Sequence, residues 1–175
     1  MSQAPYDAQN PDRNIIGIPK NTKEAKAAAQ AVLDSLPDSP YSKITTSREA
    51  EFIKYSRNCN GFVRIVFINL LHDLAQAHDV SWDAIHEAMA HDPYMSGALG
   101  GYYHNPVHKN GRGAGGECFI KDFEAFKNQY KEHVQDDQEG IHVLEALIEK
   151  NKSLLINSNK DLHLLRGVYG EDVVK

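Results

Sequence analysis

Apolar and polar positions along the chain mark out short extended runs set between longer helical ones. NIIGIP (14–19) is a short β-type run ended by Pro19. From Thr22, KEAKAAAQAVLDSL combines strong helix formers with apolar residues at helical spacing, and it stops at LPDSP, where Pro37 and Pro40 break it. KITT (43–46) reads as a second short extended piece. The strongest signal comes next. TSRE offers Thr46 as N-cap and Glu49 as its reciprocal partner, a capping box, and no proline interrupts from there to about His78. Phe52, Tyr55, Phe62, Ile65, Phe67, Ile68, Leu71, Leu74 and Ala75 cover more than one face of that helix. Roughly thirty helical residues span about 45 Å, longer than a small domain needs. A central pillar is expected, buried by its own domain and by a second subunit.

Ser81 caps a shorter amphipathic helix, WDAIHEAMAH, which ends before Asp92 and Pro93. DPYMSGALGGYYHNPVHKNGRGAGGE then reads as a long irregular stretch, and Tyr94, Tyr102 and Tyr103 argue against disorder in it. CFIKDFEAFKNQYKEHV predicts a helix, DDQE restarts another through IHVLEALIEKNKSLLI, and NKDLHLLRGVYG follows. No internal repeat is visible. The expectation is a mainly α fold: a helical domain built around one long central helix, with a short N-terminal β remnant. Residues 1–13 read as a mobile tail, 14–46 as the remnant and 47–175 as the helical domain.

Composition narrows the class. A chain of 175 residues can bury one core, and a quarter of it is charged with a formal net charge of −5. That balance speaks against a nucleic-acid partner, which calls for a basic face. The greasiest run, FVRIVFINLL, is short and carries Arg64, so no membrane span is expected. The polar start MSQAPYDAQNPDR holds no apolar h-region, and two cysteines, Cys59 and Cys118, make no disulfide framework. A reducing, cytoplasmic setting is the natural reading.

Five features invite chemistry. In HEAMAH, His86 and His91 lie five apart, about 140° round a helix, whereas a zinc-binding HExxH pair lies about 40° apart. His104 and His108 are four apart but in a loop with no third ligand in view; no metal is expected. GRGAGG lacks the GK[ST] of a Walker loop and the preceding strand of a dinucleotide fingerprint. Cys118 is different: a glycine loop meets a helix there, and the unpaired amides favour a thiolate, although a small apolar residue at a helix start fits equally well. On the long helix Lys54 and Asn58 are four apart, and Gly61 continues their line. A lysine and an amide there could hold an oxyanion or a water, and a lysine with its head in solvent is the plainer alternative.

Taken in order, FIKYSRNCNGFVRIVFIN, a DP turn, YYHNP and GAGGECFIKD resemble the central domain of the UDP-glucose/GDP-mannose dehydrogenase family. That family places a lysine and, four residues on, an asparagine before an FxN element, then a GGxC(F/L)xKD motif after a loop. NPDRNIIGIP looks like the last strand of the family's N-terminal nucleotide-binding domain, and the helix after it like that domain's final helix. The resemblance implies NAD-dependent, two-step oxidation of a sugar-nucleotide C6 alcohol to a carboxylate. It makes Cys118 the nucleophile, Lys54 and Asn58 the oxyanion holders, and Asp122 the group that positions or activates water. Tyr103, Asn105 and Pro106 match a YxNP segment lining the sugar-nucleotide pocket, with Gly115 beneath the sugar. It further implies a homodimer through the long helix and leans toward UDP-glucose as substrate.

Departures from the pattern are specific. Ala114 stands where an aromatic is frequent, Ile120 where proline is, and Leu70 where glutamate follows the FxN asparagine. Tyr94 and Met95 replace an arginine usual after the DP turn, and VHKNGR lengthens the loop before GAGG. No GxGxxG follows a strand, so an NAD site is not evident and the isolated chain is expected to be inactive. A separate Rossmann-domain chain is one way to complete it. The alternative expectation is a non-catalytic dimerisation module derived from the same family.

Overall fold

The structure, a computed structural model, describes residues 4–96 and 103–174; the expectation made for Tyr102 lies outside the described residues. It divides into two compact units, 1–56 and 57–175.

The first unit opens with a short helix α1 (Ala4–Gln9) and then forms one strand–helix–strand unit: β1 (Asn14–Ile18), α2 (Lys23–Ser35) and β2 (Ser42–Thr46). The strands pair in parallel, Asn14 opposite Ser42 through Ile18 opposite Thr46. Parallel strands need a crossover, and α2 supplies it, its start capped by the Thr22 hydroxyl accepting from the Ala25 amide at 3.1 Å. Gly17 lies where β1 meets the helix that follows β2. A Cβ there would stand 2.9 Å from both Ala50 Cβ and Ser47 Cα, so only glycine fits.

That following helix, α3 (Ser47–Ala77), is the continuous 31-residue pillar. It starts at the expected capping box: the Glu49 amide donates to Thr46 Oγ1 at 3.2 Å, and Glu49 Oε2 accepts from the Thr46 amide at 2.9 Å. The Thr45 hydroxyl also donates to Glu49. This hydroxyl first, then the Thr46 amide and hydroxyl, hold the Glu49 carboxyl down at about 2.

In the second unit α3 is followed by α4 (Trp82–His91), α5 (Pro93–Ser96), β3 (Val107–His108), β4 (Gly111–Arg112), α6 (Gly116–His133), α7 (Gln138–Asn157), α8 (Leu162–Tyr169) and a 3-10 turn, Glu171–Val174. The mainly helical reading therefore holds, with β structure confined to short pieces. Two buried groups among the described residues position the site. Phe62 of α3 stacks on Phe123 of α6, centroids 3.9 Å apart and planes 12° apart, both rings buried. Ile120, Leu155 and Leu165 join α6, α7 and α8. Ile120, which replaces a frequent proline, is thus a core side chain.

The loop read as irregular contains a built element. VHKNGR is an antiparallel hairpin, Val107 opposite Arg112 and His108 opposite Gly111, with Lys109 in the left-handed region at φ 56°. The Asn110–Gly111 dipeptide is a hairpin signal, although the two-residue turn is centred one residue earlier, on Lys109 and Asn110.

Among the described residues no helix is long and apolar enough to cross a membrane.

Candidate active site

The sequence separates the candidate residues by some sixty positions, and the α3–α6 contact brings several of them together. Asn58, Cys59, Gly61 and Phe62 fall within about one helical turn of α3, and Phe119, Asp122 and Phe123 within about one turn of α6. Asn58 Nδ2 donates to Asp122 Oδ2 at 2.6 Å. Cys59 Sγ lies 4.0 Å from the Asp122 carbonyl oxygen. Gly61 lets a third residue in: the Tyr103 ring packs edge-on to Phe119, centroids 5.6 Å apart. A Cβ at Gly61 would lie 3.0 Å from Phe119 and 3.4 Å from Tyr103. Asn58, Gly61, Tyr103, Phe119 and Asp122 therefore form one contiguous group, with Asp122 buried at 4% exposure.

Cys118 sits on the third residue of α6, exposed, and four residues before Asp122, so the two share a helix face. Neither Cys118 nor Cys59 is in a disulfide. Lys54 belongs to the first unit, four residues before Asn58 on the continuous α3; it is exposed, its Nζ 5.7 Å from the Tyr55 ring. Asn105 is exposed and makes a local turn, its Oδ1 accepting from the Val107 amide at 3.1 Å, while Pro106 is buried. His104, between Tyr103 and Asn105, is buried, with Nε2 2.5 Å from the Arg64 guanidinium. Burial first, then the Arg64 charge, holds that imidazole below the usual histidine range.

The glycine loop ahead of Cys118 is tied down residue by residue from α7 and the turn after it. Ser158 Oγ accepts from the Arg112 amide at 2.9 Å and reaches the Arg112 carbonyl at 3.3 Å. Buried Asn151 brackets Ala114: its Oδ1 accepts from the Ala114 amide at 2.7 Å and its Nδ2 donates to the Ala114 carbonyl at 3.0 Å. Lys160 Nζ donates to the carbonyls of Gly113 at 2.8 Å and Gly111 at 3.4 Å. Burial pushes the Lys160 ammonium down, opposed by the neighbouring Asp161 charge. Asp161 Oδ2 accepts from the Gly116 amide at 2.8 Å. Gly115, expected beneath a sugar, faces this clamp: a Cβ would lie 2.0 Å from Asp161 Oδ2 and 3.0 Å from Lys160 Cε.

The inserted hairpin is pinned on its other side. Arg112 donates to Asn69 Oδ1 at 2.7 Å, to the Asn69 carbonyl at 3.1 Å and to Asp73 Oδ1 at 2.5 Å, and Lys150 meets Asp73 Oδ2 at 3.0 Å. Burial alone would raise Asp73; the bonds from Arg112 and Lys150 outweigh it and leave the carboxyl below its ordinary value. The FxN asparagine, Asn69, is fully buried and serves this anchor.

Asn151, Ser158, Lys160 and Asp161 escaped the sequence reading. Each is a common polar residue in or beside a helix, and no local spacing connects it to a loop some forty residues away.

Comparison with known proteins matches the sequence of this region to one family. Residues 48–153 match the central domain of the UDP-glucose/GDP-mannose dehydrogenase family. The UDP-glucose 6-dehydrogenase of Rickettsia conorii (strain ATCC VR-613 / Malish 7) is 30% identical over 142 residues, 81% of this chain and 29% of its own length. That of Rickettsia bellii (strain RML369-C) is 29% identical over 143 residues, covering 81% and 30%. The protein YtcA of Bacillus subtilis (strain 168) is 28% identical over 150 residues, covering 79% and 33%. The chain thus spans about a third of the length of the curated relatives it matches. By the matched segment, which includes the Asn58–Asp122 contact and the Cys118 helix, the chain belongs to the UDP-glucose/GDP-mannose dehydrogenase family and carries its central domain.

Proposed function

We propose that this chain supplies the helical half of a nucleotide-sugar dehydrogenase active site, one that oxidises the C6 alcohol of a UDP-glucose-type substrate to the carboxylate. The observation that carries the reading is the grouping of Asn58 and Asp122 around the helix that presents Cys118.

In this reading the Cys118 thiolate adds to the C6 aldehyde, and the carbonyl oxygen becomes an oxyanion. The Lys54 ammonium and one Asn58 N–H stabilise it; the Asn58 amide has two N–H groups and commits only one to Asp122. Once an acceptor outside these residues has taken a hydride from that carbon and left a thioester, water attacks it, Asp122 takes the water's proton, and the Cys118 sulfur leaves as thiolate. Tyr103, held against Phe119 over Gly61, lines the sugar side with Asn105 and Pro106.

NAD is the oxidant the family reading implies, and the strand–helix–strand unit described here does not fit it. Its β1–α2 turn, Pro19, Lys20, Asn21 and Thr22, holds no glycine to bring backbone amides against a pyrophosphate. No step is therefore assigned to a cofactor on these residues. The two parallel strands read as the end of a nucleotide-binding sheet, since a two-stranded parallel sheet is a poor free-standing unit. The rest of that sheet belongs to further sequence or to a separate Rossmann-domain chain.

Val63, Phe67, Leu70 and Leu74 support a homodimer through α3 as part of the proposal. They are exposed and spaced four, three and four residues apart, a stripe suited to a second copy of the helix.

Two measurements test the proposal. The purified 175-residue chain with UDP-glucose and NAD should produce no sustained NADH absorbance; steady turnover would show that the residues present suffice. Cys118 should alkylate with iodoacetamide near pH 7 several-fold faster than a simple peptide thiol. Equal rates would remove the nucleophile role and leave a non-catalytic dimerisation module.

A further inference from the structure

Asp161 stands at the N-terminus of α8 yet caps a different helix. Its carboxylate makes no capping bond to α8. It reaches instead to the Gly116 amide, the leading N–H of α6, two residues before Cys118. To do so Asp161 takes a left-handed backbone, φ 53°, which aspartate adopts only occasionally. Gly115, the N-cap of α6, brings no side chain of its own, and its missing Cβ is the space Asp161 Oδ2 occupies. Lys160 is turned inward, 8% exposed, its ammonium spent on two carbonyls of the same loop. Burying a lysine for neutral carbonyls is costly, and a lysine used so is fixing a backbone.

We propose that Asp161 and Lys160, at the α7–α8 corner, are positioning residues for Cys118. The carboxylate holds the first amide of the helix that carries the thiol, and the ammonium holds the loop entering it. This rests on the reading of Cys118 as nucleophile and extends it to residues outside the family motif. A reacting sulfur must be delivered within a fraction of an ångström, and a glycine-rich loop cannot do that unaided. Gly113 and Gly116 both have positive φ, 92° and 79°, so this backbone is one that the loop's own side chains could not restrain. The corner supplies the restraint from outside. Neither residue touches substrate in this scheme; they act through the backbone of α6.

The test compares wild type with Asp161→Ala and Asp161→Asn. Asparagine keeps an acceptor of the same shape for the Gly116 amide; alanine removes it. Amide hydrogen exchange by NMR and the rate of Cys118 alkylation by iodoacetamide are read on the same samples. Asp161→Ala should speed exchange at Gly116 about tenfold or more and change the Cys118 rate about threefold or more. The Leu154 and Leu155 amides should exchange as in wild type, and Asp161→Asn should restore both readouts to within about twofold. Unchanged Gly116 exchange and Cys118 rate in Asp161→Ala would overturn the proposal. So would changes that appear only together with faster exchange at Leu154 and Leu155, because those report general loosening. If Asp161→Ala does not fold, Gly115→Ala takes its place: its Cβ displaces the carboxylate and must reproduce the Gly116 and Cys118 changes, or the proposal fails. A wild-type Cys118 no faster than a peptide thiol removes the nucleophile reading but leaves this comparison intact, since it reads differences between variants.

Discussion

The Asn58 side-chain amide donates to the Asp122 carboxylate at 2.6 Å, joining α3 to α6 across 64 residues of sequence. Asp122 is buried, and a buried carboxylate that loses a donor keeps its desolvation cost. Asn58→Ala should therefore destabilise the chain by about 1–3 kcal/mol, read by urea unfolding. In the Asp122→Ala background the same change should cost much less. Equal costs in the two backgrounds would mean the pair does not interact energetically.

Gly61 is the place where α3 admits Tyr103 and Phe119. A Cβ at 3.0 Å from Phe119 and 3.4 Å from Tyr103 forces one ring to shift. Gly61→Ala improves helix propensity by about 1 kcal/mol, yet overpacking typically costs about 1–3 kcal/mol. Net destabilisation in thermal unfolding is expected, with altered Tyr103 ring resonances. A more stable variant with unchanged resonances would show that the contact is slack.

Arg112 pins the inserted hairpin to Asn69 and Asp73 of α3. Replacing it with alanine leaves the fully buried Asn69 Oδ1 without this donor and frees one side of the hairpin. Trypsin should then cut after Lys109, at the hairpin turn, at least several-fold faster than in wild type, because cleavage needs the turn to open. Cleavage at the wild-type rate would place the restraint elsewhere, on the Ser158 side.

Glu49 gives the α3 capping box an acid limit. Its carboxyl sits at about 2 in the folded chain against an ordinary value of 4.5. The folded value is the lower one, so the contribution is fully present above about 4.5 and is lost as pH falls toward 2. The stability difference between wild type and Glu49→Gln should shrink across that window and be flat above it. A difference independent of pH would exclude the Glu49 charge as its source.

The stripe Val63, Phe67, Leu70 and Leu74 should behave as a dimer interface. Phe67→Glu with Leu74→Glu should convert a dimer to a monomer at micromolar concentration in sedimentation, with helical content retained. A wild-type chain that is already monomeric under those conditions would refute the dimer.

What the sequence determined by itself is local. The Thr46–Glu49 capping box, the uninterrupted pillar after it and the Ser81 and DDQE helix starts rest on contacts within a few residues. Propensity and periodicity report such contacts directly. The two strands show as short extended runs, but their pairing, Asn14 opposite Ser42, is tertiary. Cys118 stands out where a glycine loop meets a helix and Asn58 by its four-residue spacing from Lys54, while Asp122 enters with the family resemblance; no spacing implies that Asn58 meets Asp122. The hairpin left a trace in Asn110–Gly111, but its two-residue strands are too short for a period to show.

Tertiary structure alone decided what the glycine loop is. Read along the chain, GRGAGG lacks the context of a nucleotide loop and shows only glycines where a loop meets a helix. In the fold, Asn151, Ser158, Lys160 and Asp161 hold Gly111, Arg112, Gly113, Ala114 and Gly116 through backbone amides and carbonyls. Backbone groups are the same in every residue, so a bond to them leaves no mark on the sequence of the loop. The side chains that make it lie where helix packing brings α7 and α8 against α6, and that packing is settled by Ile120, Leu155 and Leu165 in the shared core.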